Sequence, residues 1–261
     1  MKVKDVMTKE IISVSKNEDL EHIMHVMEKN NITKVPVVED GKLLGIITDG
    51  EIAYKLGSIR KKDVTTAHMY ASSVMIKKYE TVTPDTPVEE IIKTVGLPGP
   101  TMLPVVENEK LVGVVTKADL LPLVKGKEPV SSIMTKRIIT VEPEDRVIHA
   151  RRLMIDNNIA RIPVVKTGNV LGIIAEMDIA RAFAKLKKSF SRTHQKHRVD
   201  EMLVQDAMNP QVVTVKPEVS IQEAAEIMLK RDIGALPVVD GKLLGIVTRT
   251  DLIRTLKGKK V

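Results

Sequence analysis

Two apolar stretches of this chain close on the pattern Thr-x-x-Asp, at Thr116–Asp119 and at Thr248–Asp251. A third keeps the hydroxyl, Thr48, but has Glu51 in place of the Asp. A fourth keeps the carboxylate, Asp178, but has Ala175 in place of the Thr. A Pro-Val-Val segment precedes each of them. Two residues before that Pro stands a cation in two copies, Lys34 and Arg161, and an uncharged residue, Met102 or Ala235, in the others. A further hydroxyl recurs on an earlier apolar stretch: Ser13, Thr81, Thr140 and Thr214. A carboxylate at a helix start is favoured by the helix dipole and accepts hydrogen bonds from backbone N–H groups or from a ligand's hydroxyls. Hydroxyls and cations suit an anion. The bland alternatives are an ordinary capping arrangement for Thr-x-x-Asp, a solvated surface charge for Lys34, and a good strand former for the Thr residues.

The elements that must position these residues repeat four times. Met7, Met75, Met134 and Met208 each stand 29 positions before Pro36, Pro104, Pro163 and Pro237. Eight or nine positions after the Pro comes Gly45, Gly113, Gly172 or Gly245. Each copy reads as a short apolar strand (Ile11 to Val14, Ile138 to Val141, Val212 to Val215), then an amphipathic helix. In the fourth copy Ile221, Ala224, Ala225 and Met228 share a helical face, and Ser220 with Glu223 forms a capping-box pattern. Pro-Val-Val opens a second strand at an edge or strand start. An acidic-Gly or Gly-Asn turn leads to a third strand, a hairpin signal. A last helix begins near Glu51, Asp119, Asp178 or Asp251. The expected order is β-α-β-β-α, an α/β (α+β) class. So small a unit buries little surface alone and must pack in pairs through its sheets.

About fourteen residues separate the first and second copies, about five the second and third, and about twenty the third and fourth. These lengths pair first with second and third with fourth. The expected divisions are residues 1–70, 71–126, 127–203 and 204–261. The Leu97 to Pro100 stretch, Leu-Pro-Gly-Pro, should end the helix of the second copy early.

Composition narrows the functions. Of 261 residues 43% are apolar and 29% charged, as in a globular protein, but only 2% are aromatic. That excludes the aromatic stacking platforms of many single-strand nucleic-acid binders and implies an aliphatic core. Absence of cysteine excludes disulfides, thiolate metal sites and cysteine nucleophiles. The six histidines make no metal pattern, and no G-x-S-x-G, Walker A or H-E-x-x-H motif is present. The acid recurs once per copy, which suits ligand binding better than a single active centre; no enzyme is expected. No apolar run reaches transmembrane length and no signal-peptide pattern opens the chain, so a cytoplasmic protein with no membrane partner is expected. The net charge of +7 favours acidic partners.

The Pro-Val-Val strands and the ending Gly245-Ile-Val-Thr248-Arg-Thr-Asp251, four times in register, resemble the CBS domain, the cystathionine-β-synthase-type repeat. The resemblance covers nearly the whole chain outside the linkers. It implies two tandem (Bateman) modules, bound adenosine compounds (AMP, ADP, ATP or S-adenosylmethionine), and a sensor acting on a regulated protein partner. It assigns Thr116, Asp119, Thr248, Asp251 and Asp178, with Thr48, to ribose and phosphate. It assigns Ser13, Thr81, Thr140 and Thr214 to the adenosine pocket, and Lys34 and Arg161 to phosphate. Copies with the cation lack an intact Thr-x-x-Asp, and the reverse. The expectation is therefore one good pocket per module with its cation from the partner copy: Thr81, Thr116 and Asp119 with Lys34, and Thr214, Thr248 and Asp251 with Arg161. Glu51 and Ala175 weaken the remaining pockets. Arg249 is a further phosphate candidate. No cofactor is required. A homodimer is compatible with two modules, as is closure within one chain. The alternative reading is a nucleic-acid-binding or scaffold protein using the basic stretch Lys185 to Arg198, with Lys61-Lys62 as a lesser one.

Overall fold

The computed structural model describes residues 1–57, 66–97, 102–189 and 201–258, with the side chains of 67 and 187–189 outside the description. Lys61-Lys62, Pro98 to Pro100 and most of the basic stretch, including Arg192, His194 and His197, lie outside the described residues.

The first repeat contains helix α1 (Leu20–Lys29), the hairpin β1 (Lys34–Glu39) and β2 (Lys42–Thr48), and helix α2 (Asp49–Leu56). The second follows the short helix α3 (Ala71–Val74) with α4 (Val88–Val95), β3 (Met102–Glu107), β4 (Lys110–Thr116) and α5 (Lys117–Leu120). The third has α6 (Val147–Asn157), β5 (Arg161–Lys166), β6 (Asn169–Ala175) and α7 (Glu176–Ser189). The fourth has α8 (Ile221–Lys230), β7 (Ala235–Asp240), β8 (Lys242–Thr248) and α9 (Arg249–Arg254). Helix α4 ends at Val95, ahead of the Leu-Pro-Gly-Pro stretch, and is 8 residues long where α1 and α8 have 10.

All four hairpins share one register with a bulge after the first Val of Pro-Val-Val. The turns need positive φ at both central residues in Asp40-Gly41, Asn108-Glu109 and Thr167-Gly168, as a tight hairpin demands. Asn169 lies not in the turn but opposite Lys166.

Three expectations change. The first apolar stretch of each repeat is a single parallel bridge, not a strand: Val14 to Val37, Val82 to Val105, Val141 to Val164 and Val215 to Val238. Val14 N–H donates to Pro36 O and Val14 O accepts from Val38 N–H, and the chain then turns at Ser15 to Glu18, so pairing cannot propagate. The Pro sits third in its strand, opposite Ile46 in the first repeat. It is tolerated because every sheet has two strands and each strand is an edge. The last helices begin two residues earlier than expected, which makes Glu51, Asp119, Asp178 and Asp251 the third helical residue.

Repeats one and two exchange their leading segments. Thr8 pairs with Val114 and Ile76 with Ile46, each through two backbone hydrogen bonds of 2.8–3.0 Å. In the same way Thr135 pairs with Ile246 and Asn209 with Ile173. The recurrent Met and Gly meet in this exchange, Met75 over Gly45, Met7 over Gly113, Met208 over Gly172 and Met134 over Gly245.

Helices make the other contacts. One apolar core joins repeats one and three, with Ile23, Ile47 and Ile52 packed with Ile162, Ile179 and Phe183. A second joins repeats two and four through Ile91, Leu103, Leu120, Met228, Leu236 and Leu252. Helix α2 lies against α7, and α9 against α4 and α5. The two modules thus meet within one chain, and the four repeats close a ring in the order one, two, four, three.

Candidate functional site

The strand-to-helix junctions of the four repeats meet across repeats: Glu176 lies on Gly50, Lys117 bonds Thr250, and Lys34 and Arg161 act on Lys117. Thr116 and Thr248 cap α5 and α9. Their N–H and hydroxyl both donate to one carboxylate oxygen, at 2.7 and 2.7 Å in Asp119 and at 2.8 and 2.6 Å in Asp251. The second oxygen of Asp119 accepts from the Thr8 hydroxyl at 2.8 Å. The second oxygen of Asp251 lies 4.0 Å from the Arg254 guanidinium. In the third repeat Ala175 has only its N–H to donate to Asp178, at 2.8 Å, and burial pushes the Asp178 carboxyl up from its ordinary range. In the first, buried Thr48 accepts from Glu51 N–H at 3.1 Å.

Ser13, Thr81, Thr140 and Thr214 are exposed and each directly precedes the bridged Val of its repeat. Lys34 lies in a cleft of about 290 Å³ between repeats one and two. Ile46 and Thr48 line it from the first repeat, Ile76, Tyr79 and Met102 from the second. This is near the low end of small-molecule sites, about 300–1,000 Å³. The structure therefore brings Lys34 together with Thr48, whereas Thr116 and Asp119 bond Thr8. A larger groove, about 470 Å³, is lined by Asp19, His22, His25 and Glu28 and shares none of the recurring residues.

Lys34 and Arg161 approach each other, and both also act on Lys117 at the junction of the second repeat and on Arg249 at that of the fourth. Burial lowers the pKa of the half-buried Lys34, Arg161 and Arg249 lower it further, and Asp49 and Glu176 oppose them. Arg161 is lowered by the same burial, against Asp49, and its guanidinium lies on Gly234 of the fourth repeat, leaving no room for a Cβ there. The Lys117 ammonium donates to Thr250 Oγ1 at 2.7 Å and to Leu97 O at 2.8 Å. Burial, then Lys34 and Arg161, bring its pKa down to about 8. Arg249 donates to Asp232 at 2.9 Å and to Ile233 O at 3.1 Å, and Asp232 in turn accepts from Asn31 of the first repeat at 2.5 Å. Burial raises Asp49 and, with Asp49 beside it, brings Glu176 up to about 7.

Sequence reasoning missed Asp49, Lys117 and Glu176. A signal for them existed. The residue after the strand-end Thr or Ala is Asp, Lys, Glu and Arg in the four copies, charged every time. Among the described residues no group of three or more His, Asp or Glu side chains is arranged to hold a metal ion, and no helix is long and apolar enough to cross a membrane.

Paired hairpin repeats closing on a shared charged centre define a class of tandem-repeat proteins. The CBS domain family matches residues 3–58, 71–126, 130–185 and 204–258, and the chain belongs to that family, with its four CBS repeats forming two Bateman modules. Protein MJ1404 of Methanocaldococcus jannaschii is 33% identical over 269 residues, which cover 99% of this chain and 62% of that protein, so the chain spans less than two thirds of that relative. Protein MJ1225 of the same organism is 28% identical, with 97% of both chains covered. The crystal structure of MJ1225, described as a proposed archaeal homolog of g-AMPK, aligns with a TM-score of 0.83 at 25% identity over 98% of this chain and all of that one.

Proposed function

We propose that the protein is a non-enzymatic regulatory sensor that binds an adenosine nucleotide, AMP, ADP or ATP, in the clefts between paired repeats. The phosphates point to the centre of the ring. The observation that carries this reading is the gathering of Lys34, Lys117, Arg161 and Arg249 from all four repeats, against two carboxylates, Asp49 and Glu176. Cations brought together at a cost in desolvation favour an anion that neutralises them. The base would lie between aliphatic side chains such as Ile46 and Ile76, and the ribose against Asp119, Asp178 or Asp251. The similarity to MJ1225, described as a proposed archaeal homolog of g-AMPK, is in keeping with a regulatory role. The sulfonium of S-adenosylmethionine carries positive charge and is the poorer match to this centre.

Occupancy at the centre touches every repeat and would bias the packing of one module on the other. Such coupling is typically about 1–3 kcal/mol and would be read by a protein partner. A thermal-shift panel of AMP, ADP, ATP and S-adenosylmethionine tests the reading, because a ligand of the folded state raises its stability. The expected result is a rise with the phosphate-bearing ligands. Calorimetric titration of Asp119→Ala and Asp251→Ala then tests the ribose assignment. Unchanged nucleotide affinity in both would sink it.

A further inference from the structure

Positions 49, 117, 176 and 249 each open the last helix of a repeat. The ring sorts them by sign. Asp49 and Glu176 meet where α2 packs against α7, while Lys117 and Arg249 belong to the junction of repeats two and four, where Lys117 bonds Thr250. The Glu176 carboxylate rests on the backbone of Gly50, its oxygens within 2.8 Å of the place a Cβ would take. Its Oε2 is buried with no hydrogen-bond partner. Asp49 is 6% exposed. The charged groups facing Glu176 are Asp49 and Glu51 of α2, Lys34 of β1 and Arg161 of β5.

This is an unusual content for an anion site. Two carboxylates are held beside its cations, one of them with a buried oxygen that has no hydrogen-bond partner, although an amide in either place would leave more of the positive charge for a ligand. We propose that Asp49 and Glu176 are specificity-determining residues that limit the anionic charge the centre accepts, selecting against longer phosphate chains. Arg249 is already paired with Asp232, so with both carboxylates ionised Lys34, Lys117 and Arg161 keep a surplus of one charge, which suits a monophosphate better than a longer chain. A triphosphate exceeds it and meets the carboxylates. The inference rests on the nucleotide reading above. Proton uptake by Glu176, whose pKa stands at about 7, relaxes the limit as pH falls.

The test is calorimetric titration of AMP and ATP in magnesium-free buffer with the wild type, Glu176→Gln and Asp49→Asn, at pH 6 and pH 8. Thermal unfolding of each variant confirms that it is folded. At pH 8 each variant should raise the ratio of ATP to AMP affinity, by about tenfold for the loss of one nearby charge. In the wild type that ratio should fall from pH 6 to pH 8, and Glu176→Gln should remove most of the fall. The nucleotides' own ionisation is common to both proteins. Binding of both nucleotides with the same ratio in all three proteins overturns the inference and leaves the nucleotide reading standing. Failure of all three to bind either nucleotide overturns both.

Discussion

Met75 of the second repeat closes over Gly45 of the first. A Cβ on Gly45 would stand 2.8 Å from its Sδ and 2.8 Å from the carbonyl oxygen of Ile76. That carbonyl also accepts the Ile46 N–H at 3.0 Å, so it cannot retreat without breaking the pairing of the two repeats.

Gly45→Ala should therefore cost about 1–3 kcal/mol by overpacking. Gly241→Ala is the comparison. Gly241 has positive φ but nothing within 4 Å, so its substitution costs only the left-handed backbone, about 1–2 kcal/mol. Urea unfolding measures both. The distinguishing outcome is a drop in nucleotide affinity for Gly45→Ala alone, because only that site shapes the cleft between repeats one and two. Equal affinity in the two variants would contradict it.

The capping threonines offer a second comparison. Thr248→Ala removes the hydroxyl that donates to Asp251 and should destabilise by about 1 kcal/mol. The third repeat already lacks this hydroxyl at Ala175. Ala175→Thr should thus gain about 0.5–1 kcal/mol in denaturant unfolding. A loss on that substitution would show that the third junction differs from its counterparts in more than the missing cap.

Glu176 makes the ligand-free protein pH-sensitive in a defined direction. Its folded pKa, about 7, is above the ordinary 4.5, so the folded state binds more protons between these values. Its contribution to stability falls as pH rises from about 4.5 to 7 and stays unfavourable above. Glu176→Gln should match the wild type at pH 4 and exceed it at pH 8, by up to about 3 kcal/mol. Urea unfolding at the two pH values measures this; equal stability at pH 8 would refute it.

Lys117 titrates on the other side of neutrality, at about 8. An anion beside it favours the ammonium form. Nucleotide binding at pH 8 should accordingly take up about half a proton at this residue. Calorimetry in buffers of different ionisation enthalpy reads that uptake, and Lys117→Met should reduce it by this amount.

Much of the architecture was legible because periodicity and spacing are local. The amphipathic face of α8, the Ser220 cap and the hairpins follow from residues a few positions apart, whereas their bulges appeared only in the structure. The pairing of repeats one with two and three with four followed from linker length alone. The first short strands were misread for a physical reason: Ile11 to Val14 has the composition of a strand, but only Val14 finds a partner before the chain turns. The charged centre was only half legible. Lys34, Arg161 and Arg249 stood out as cations, while Asp49, Lys117 and Glu176, at the same position after the strand as Arg249, were passed over because the residue there changes sign from copy to copy.

The sequence by itself determined the four-fold repeat, its hairpins and caps, and the aliphatic core implied by 2% aromatic residues. Its recurring Met and Gly also carried the information that something must fit together 29 residues upstream of each Pro. Which Met meets which Gly was decided only by tertiary structure, since each contact crosses from one repeat to its partner. The same holds for the charges. Lys34 and Arg161 lie far apart along the chain, and two apolar cores, each shared by alternate repeats, must form before they and the two carboxylates are drawn into one low-dielectric centre. Sequence spacing encodes what a repeat is; the closure of the ring determines which charges must share a space.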